Sequence, residues 1–333
     1  MLSTVLDNLQ QNWVHEEDHL EQQIQSALKI LVPYTYEIPL PGHGQTFLRW
    51  QILSQIAQIN LSLAKIFESH LDAVAIIQEV SPNYHFDPNK LWAVWAAEGG
   101  VNPLKISAPT LLNGCKNWCS AAAYVDQALM TYRDEQKCSQ LIVVDLKQDG
   151  IKTTEEHWQA VGMQATQTAQ VEFINVPIEK LGKANAYLDR AGFWHGAAGV
   201  AACWFGVSLA IAQFLKNSVQ NKPHAYKSMY HGEIYTSILA TKTLFKEVAN
   251  LIDTQPCHSH ELIIRALRAQ VEQTALKILE NVGKALGAAP YCNNAHFSRL
   301  AADLPVFIRQ SHAAFDLEKI GDLAALEDDL CLD

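Results

Sequence analysis

The apolar residues of this chain change their spacing twice, and those two changes limit its possible folds more than any other feature. Up to about residue 90 they recur at intervals of three and four, the period of a helix with one buried face. From about Trp92 to Ile178 they fall into short β-type runs, such as Gln140 to Leu146 (QLIVVDL) and Gln170 to Val176 (QVEFINV). After Gly182 the helical period returns and lasts to the C-terminus. Helix, strand, helix predicts an α+β protein with an N-terminal helical domain over 1–90, a middle β domain over 91–182 and a C-terminal helical domain over 183–333.

Each block carries its own punctuation. In the first, Leu2 to Leu31 reads as one helix that Pro33 ends, and Thr46 to Val80 as a second that Ser81 and Pro82 break. The loop between them, Pro39 to Gln45 (PLPGHGQ), reads as a connection. In the second block, closely spaced strands suggest a small antiparallel barrel or sandwich, and Asp149-Gly150 is a hairpin signal. Four helical segments follow: Ala191 to Lys216, His231 to Asp253, Glu261 to Leu286 and Phe297 to Ile320, a number that suits a four-helix bundle. In the third of these, Ile264, Leu267, Val271, Ala275, Ile278, Val282 and Leu286 form one stripe, closed by Gly287 with Pro290 beyond. Trp194, Trp204 and Phe205 read as core at helical spacing.

Composition removes several classes of function. With 25 basic against 35 acidic residues the net charge is −10, and no basic cluster interrupts it, so neither nucleic acid nor an anionic membrane surface is an expected partner. Seven cysteines (Cys115, Cys119, Cys138, Cys203, Cys257, Cys292 and Cys331) show neither zinc-site nor disulfide spacing and read as reduced thiols of a cytoplasmic protein, with no metal expected. The start, MLSTVLDNLQQNWVHEEDH, lacks the basic and apolar regions of a secretory signal. Gly196 to Leu215 runs for 20 residues without a formal charge. Its Gly, Ala and Ser content nevertheless predicts a helix buried in a bundle rather than a membrane span.

Two segments of the middle block carry the chemistry. Leu112 to Ser120 (LNGCKNWCS) and Val161 to Gly182 (VGMQATQTAQVEFINVPIEKLG) together resemble the middle domain of the acyl-CoA dehydrogenase family. In that family a Gly-x-Lys-x-Trp-x-Ser/Thr strand lies against the isoalloxazine of FAD, and a Gly-Met turn leads to the last strand. The order of the helical and strand blocks matches the family's architecture over nearly the whole chain. The resemblance implies that Trp118 packs on a flavin and that the hydroxyl of Ser120 bonds near its N5, with Cys119 between them. An aromatic face suits a planar ring, and a hydroxyl can donate to or accept from its edge. It also implies a homodimer or homotetramer, because bundle faces pair between subunits in this family.

The sequence departs from the family pattern at several places. The family's Thr-Glu-Pro-x-x-Gly-Ser-Asp loop is reduced to AAEGG, Ala96 to Gly100, leaving Ala97 as the cofactor contact and Glu98 as its carboxylate. The segments that reach a neighbouring subunit's FAD are represented only by Asn221 to Ser228 and Gly287 to Tyr291. In the segment Arg299 to Gly321, which resembles the last bundle helices with their Arg-x-x-x-Asp start (Arg299, Asp303), the glutamate that takes the substrate's α-proton is missing. Arg309, Gln310, Ser311 and His312 stand there, and Gly192 occupies the family's other position for that base.

Oxidation of an acyl thioester needs a base at the α-carbon while a hydride leaves the β-carbon. Glutamine and serine cannot serve near neutral pH, whereas histidine, with an ordinary pKa of about 6.5, can. His312 and His195 are therefore the catalytic candidates; Asp316 and Glu318 read as a solvated helix end. The resemblance implies an FAD-dependent oxidoreductase acting on an acyl thioester. It leaves open a flavin-dependent monooxygenase that uses His312 and takes reduced flavin from a partner reductase, and a non-catalytic subunit or binding module. Acyl-chain length is set by pocket volume, so no motif specifies it.

Overall fold

The computed structural model describes residues 2–15, 17–108, 110–154 and 158–326. These residues gather into two compact units, one drawn from residues 1–38 and 62–193, the other from residues 39–61 and 194–333. Its first helices are α1 (Leu2–Asn12), α2 (Leu20–Leu31), α3 (Thr46–Ile59) and α4 (Leu61–Val80). Both long helices expected here are broken. Between α1 and α2 the side chain of Gln23 bonds the backbone N–H and carbonyl of Val14, both at 3.0 Å, and so satisfies groups that a helix would have used. Between α3 and α4 a single residue, Asn60, is extended (φ −157°, ψ 128°).

The first unit holds the strands: β1 (Trp92–Trp95), β2 (Lys105–Ala108), β3 (Leu111–Cys119), β4 (Gln127–Arg133), β5 (Ser139–Asp145), β6 (Ile151–Thr154), β7 (Ala169–Pro177) and β8 (Glu179–Leu181). They form two four-stranded sheets, ordered β1-β4-β5-β8 and β2-β3-β7-β6. Pairing is antiparallel apart from β1 with β4, which is parallel. Apolar side chains of both sheets, among them Leu112, Met130, Ile142, Val144, Val171 and Phe173, are buried. The turn at Asp149-Gly150 differs from the expected hairpin, because β5 and β6 lie in different sheets. Gly150 is needed at this corner: its φ is +87°, and a Cβ there would sit 2.4 Å from the carbonyl oxygen of Ile174 on β7. A short helix, α5 (Ala186–Asp189), follows β8.

The helices that follow are α6 (Gly192–Asn221), α7 (Ala225–Thr254), α8 (Glu261–Leu286), α9 (Ala289–Asn293), α10 (Ala295–Phe307) and α11 (Ala314–Ala324). In α8 the stripe Ile264, Leu267, Val271, Ala275, Ile278 and Val282 is fully buried, and Gly287 (φ +69°) ends the helix. The last expected helix, Phe297 to Ile320, is interrupted: Ser311 is extended and Ala313 has φ +44°, while Asp316 accepts the backbone N–H of His312 at 2.9 Å. Helix α6 is long and apolar enough to cross a membrane, yet 78% of its most apolar window is buried inside the structure, as expected of a core helix. Trp204 and Phe205 lie in that core, and Trp194 is half-buried beneath the Arg265 guanidinium, 4.1 Å above its ring.

Candidate functional site

The end of β3 departs from regular strand geometry. Lys116 pairs with Val171 and Cys119 with Ala169, so Asn117 and Trp118 stand opposite the single residue Gln170. This two-against-one count is a β-bulge, and it leaves Trp118 at φ +61°. A left-handed backbone is costly for a bulky residue. The strain is accompanied by exposure: the Trp118 side chain is 65% exposed, touching Trp158 edge-on with ring centroids 6.3 Å apart. The bulge thus leaves a flat apolar indole face open to solvent. Ala121, Met163 and Gln167 share the left-handed conformation, and Ala121 donates its N–H to the carbonyl of Thr166 at 2.8 Å, joining the two strained turns.

Ser120 sits between these turns. Its carbonyl accepts the Trp95 indole N–H at 3.1 Å, and its hydroxyl accepts from Thr168 at 3.4 Å; Thr168 is 2.7 Å from the hydroxyl of Thr166, which bonds the Met163 carbonyl at 2.7 Å. This chain of hydroxyls starts in the Gly-Met turn and ends beside Trp118. Cys119 points inward, fully buried, and burial raises the pKa of its thiol well above the ordinary value. The thiol therefore stays protonated and is no nucleophile.

Lys116 crosses between the sheets. It is 3% exposed, and its Nζ donates to the Thr131 carbonyl on β4 at 2.6 Å, with the Glu98 carboxylate 3.9 Å away. Burial lowers its pKa, and Glu98 opposes that shift. The hydroxyl of Thr131 lies 2.7 Å from Glu98 Oε1 and 3.1 Å from the carbonyl of Ala96, which ties the AAEGG segment to β4. At its other end Gly100 (φ +123°) lies against Asn117: a Cβ on Gly100 would come within 2.8 Å of the Asn117 amide. The shortened loop is thus tied to β4 at Ala96 and Glu98, with Ala97 exposed and Gly100 beside the residue preceding Trp118.

The two histidines differ. His195, near the start of α6, is 2% exposed; its Nε2 donates to the carbonyl of His258 at 2.9 Å, and its ring stacks on His260 at 6.0 Å. His312 is exposed in the break between α10 and α11. Asp316, expected on a solvated helix end, is instead buried and paired with Arg265, and Glu272 pairs with Arg309; Glu318 is exposed. Arg268 bonds the carbonyls of Gln310 (3.1 Å) and Ala197 (2.6 Å) and lies over the Trp204 ring. No group of three His, Cys, Asp or Glu among the described residues is placed to hold a metal ion.

No protein-family model matches the sequence, and no curated protein does. Solved structures do match in shape. Butyryl-CoA dehydrogenase from Megasphaera elsdenii superposes with a TM-score of 0.81 at 15% identity, covering 97% of this chain and 96% of that one. FMN-bound TdsC from Paenibacillus sp. A11-2 gives 0.78 at 15% identity, over 96% of each chain. The methanesulfinate monooxygenase MsuC from Pseudomonas fluorescens gives 0.70 at 14% identity, over 94% and 97%. This is the acyl-CoA dehydrogenase fold. On that fold the three adjacent residues singled out by sequence, Trp118, Cys119 and Ser120, share the distorted end of β3, although only Trp118 and Ser120 are accessible. The acyl-CoA dehydrogenase motif did not point to Thr166, Thr168, Trp158 or Thr131; the Thr-Gln-Thr run after the Gly-Met turn is the signal that could have.

Proposed function

We propose that this protein is a flavin-dependent oxidoreductase, with FAD as its cofactor and an acyl thioester as its substrate. The observation that carries the reading is the exposed Trp118 indole on a left-handed bulge, on a chain with this fold. The residues present suit the ring of a flavin: Trp118 offers its face, Ser120 and Thr168 offer hydroxyls, and the pinned AAEGG loop offers backbone groups nearby. A bound flavin would supply a hydride acceptor, which no protein side chain provides. The protein's part is to present the ring, exclude water and move a proton.

For that proton we assign His312, whose exposed imidazole accepts one when neutral. His195 is the weaker assignment, because its Nε2 is already committed to the His258 carbonyl. The test is a visible spectrum of the purified protein before and after incubation with FAD and FMN. A protein that stays colourless with both flavins overturns the reading. Given bound flavin, anaerobic bleaching by acyl-CoA thioesters supports the dehydrogenase. His312→Ala is expected to lower turnover about 100-fold or more with flavin content unchanged; unchanged turnover removes His312 from the mechanism.

A second reading has its own support: Arg309 to His312 contains a histidine and no carboxylate, and Asp316 and Glu272 near it are paired with arginines. That arrangement suits a monooxygenase supplied with reduced flavin by a reductase. Oxygen-dependent product formation without anaerobic bleaching is its signature. A stable, flavin-free oligomer would instead indicate a non-catalytic subunit.

We further propose a cytoplasmic homodimer or homotetramer. Support comes from the exposed apolar side chains Tyr226 and Met229 in the first turns of α7, and from free thiols at all six described cysteines; Cys331 lies outside the described residues. Sedimentation of the purified chain as a monomer would overturn the assembly.

A further inference from the structure

The second unit contains a cavity that plays no part in the reading above. Helices α3 and α6 cross in direct contact at Gly206, where a Cβ would lie 2.3 Å from the Ser54 carbonyl oxygen. Beside this crossing α3, α6 and α7 enclose a space of about 410 Å³, within the usual range of small-molecule sites. Trp50, Phe205 and Phe245 make a buried aromatic floor, with ring centroids 5.5 Å apart for Trp50–Phe245 and 5.4 Å for Phe205–Phe245. Phe47, Leu209 and Ile238 form half-buried apolar walls.

The rim is polar and carries one charge. Gln51, Gln55 and Gln58 lie along one face of α3, and Lys242 of α7 is the only ionisable group in the lining. Lys242 is exposed and makes no ion pair among the described residues, and no carboxylate borders the cavity. In a chain of net charge −10, a lone cation over an aromatic hollow favours one kind of occupant: an apolar body that fills the floor and a carboxylate that meets the lysine and the amides.

We propose that this cavity binds a small apolar carboxylate, of the class of a medium-chain fatty acid. The proposal is independent of flavin binding, since every lining residue belongs to the second unit and none belongs to the Trp118 region.

The test is calorimetric titration of the full-length protein with octanoate, with octanol as the ligand lacking the charge, alongside a record of flavin content. Saturable binding of one octanoate per chain is expected, tighter than that of octanol. Lys242→Gln is expected to weaken octanoate roughly fivefold, as for an exposed ion pair, and to leave octanol unchanged. Leu209→Trp, which fills the cavity, is expected to abolish both. No saturable heat at millimolar octanoate, octanol binding as tightly as octanoate, or an affinity unaffected by Lys242→Gln would each overturn the proposal. Lys242 is exposed, so that variant decides the matter even if Leu209→Trp does not fold. A protein that lacks flavin yet binds octanoate fails the proposed function and upholds this inference.

Discussion

Helix α8 and the end of β3 obey opposite rules. In α8 every apolar residue from Ile264 to Val282 in the heptad-like stripe is buried, the backbone is regular, and a glycine ends it. At the end of β3 the largest side chain faces solvent, the backbone turns left-handed where a tryptophan is penalised, and a hydroxyl chain runs beside it. The first region is what stability alone produces. The second conflicts with its own local preferences, and that conflict is what the flavin-site proposal rests on.

The contrast can be broken or sharpened by substitution. The largest expected effect is in the regular region: Ile278→Ala, at a fully buried position, should cost about 2–5 kcal/mol in denaturant unfolding and leave flavin affinity unchanged in the folded fraction. Trp118→Gly should do the reverse. Relief of the left-handed conformation, about 1–2 kcal/mol, offsets the flexibility of glycine, so the unfolding midpoint should hold or rise while flavin affinity falls about tenfold. A large loss of stability with flavin binding intact would make Trp118 an ordinary structural residue.

A smaller effect distinguishes Cys119 from its exposed neighbours in type. Its thiol pKa lies above the ordinary 9.0 because of burial, so the folded state keeps a proton that the unfolded chain loses. That contribution is fully present below pH 9.0 and is lost as pH rises above it. Stability of the wild type should therefore fall more steeply above that pH than stability of Cys119→Ala, by at most about 1.4 kcal/mol per pH unit. At pH 8 a thiol reagent should label Cys257 and Cys292 rapidly, as exposed cysteines, and Cys119 only on unfolding.

How much of this was legible in the sequence depended on the range of each interaction. The order of helix, strand and helix is carried by local periodicity, and so is the α8 stripe. Trp118 and Ser120 stand out in the sequence because the motif they belong to is contiguous. The bulge beneath Trp118 has no local sign, since tryptophan is a good strand former; it arises from how β3 counts against β7, more than 50 positions on. Thr168 reaches Ser120 across 48 positions in the same way. Asn60 is the opposite case: one extended residue interrupts a helical pattern that reads as continuous from Thr46 to Val80.

That one residue matters for how the protein is made. Residues 39–61 pack in a unit whose remainder begins at residue 194, so the second unit is assembled from two separated pieces of chain. On the ribosome α3 emerges before α6, with Trp50 and Leu53 uncovered, and must wait while residues 62–193 are synthesised before α6, whose Gly199 lies beside both side chains, can cover them. The same layout means that cutting the chain at residue 194 would leave the C-terminal fragment without α3, and with it without one wall of its own core.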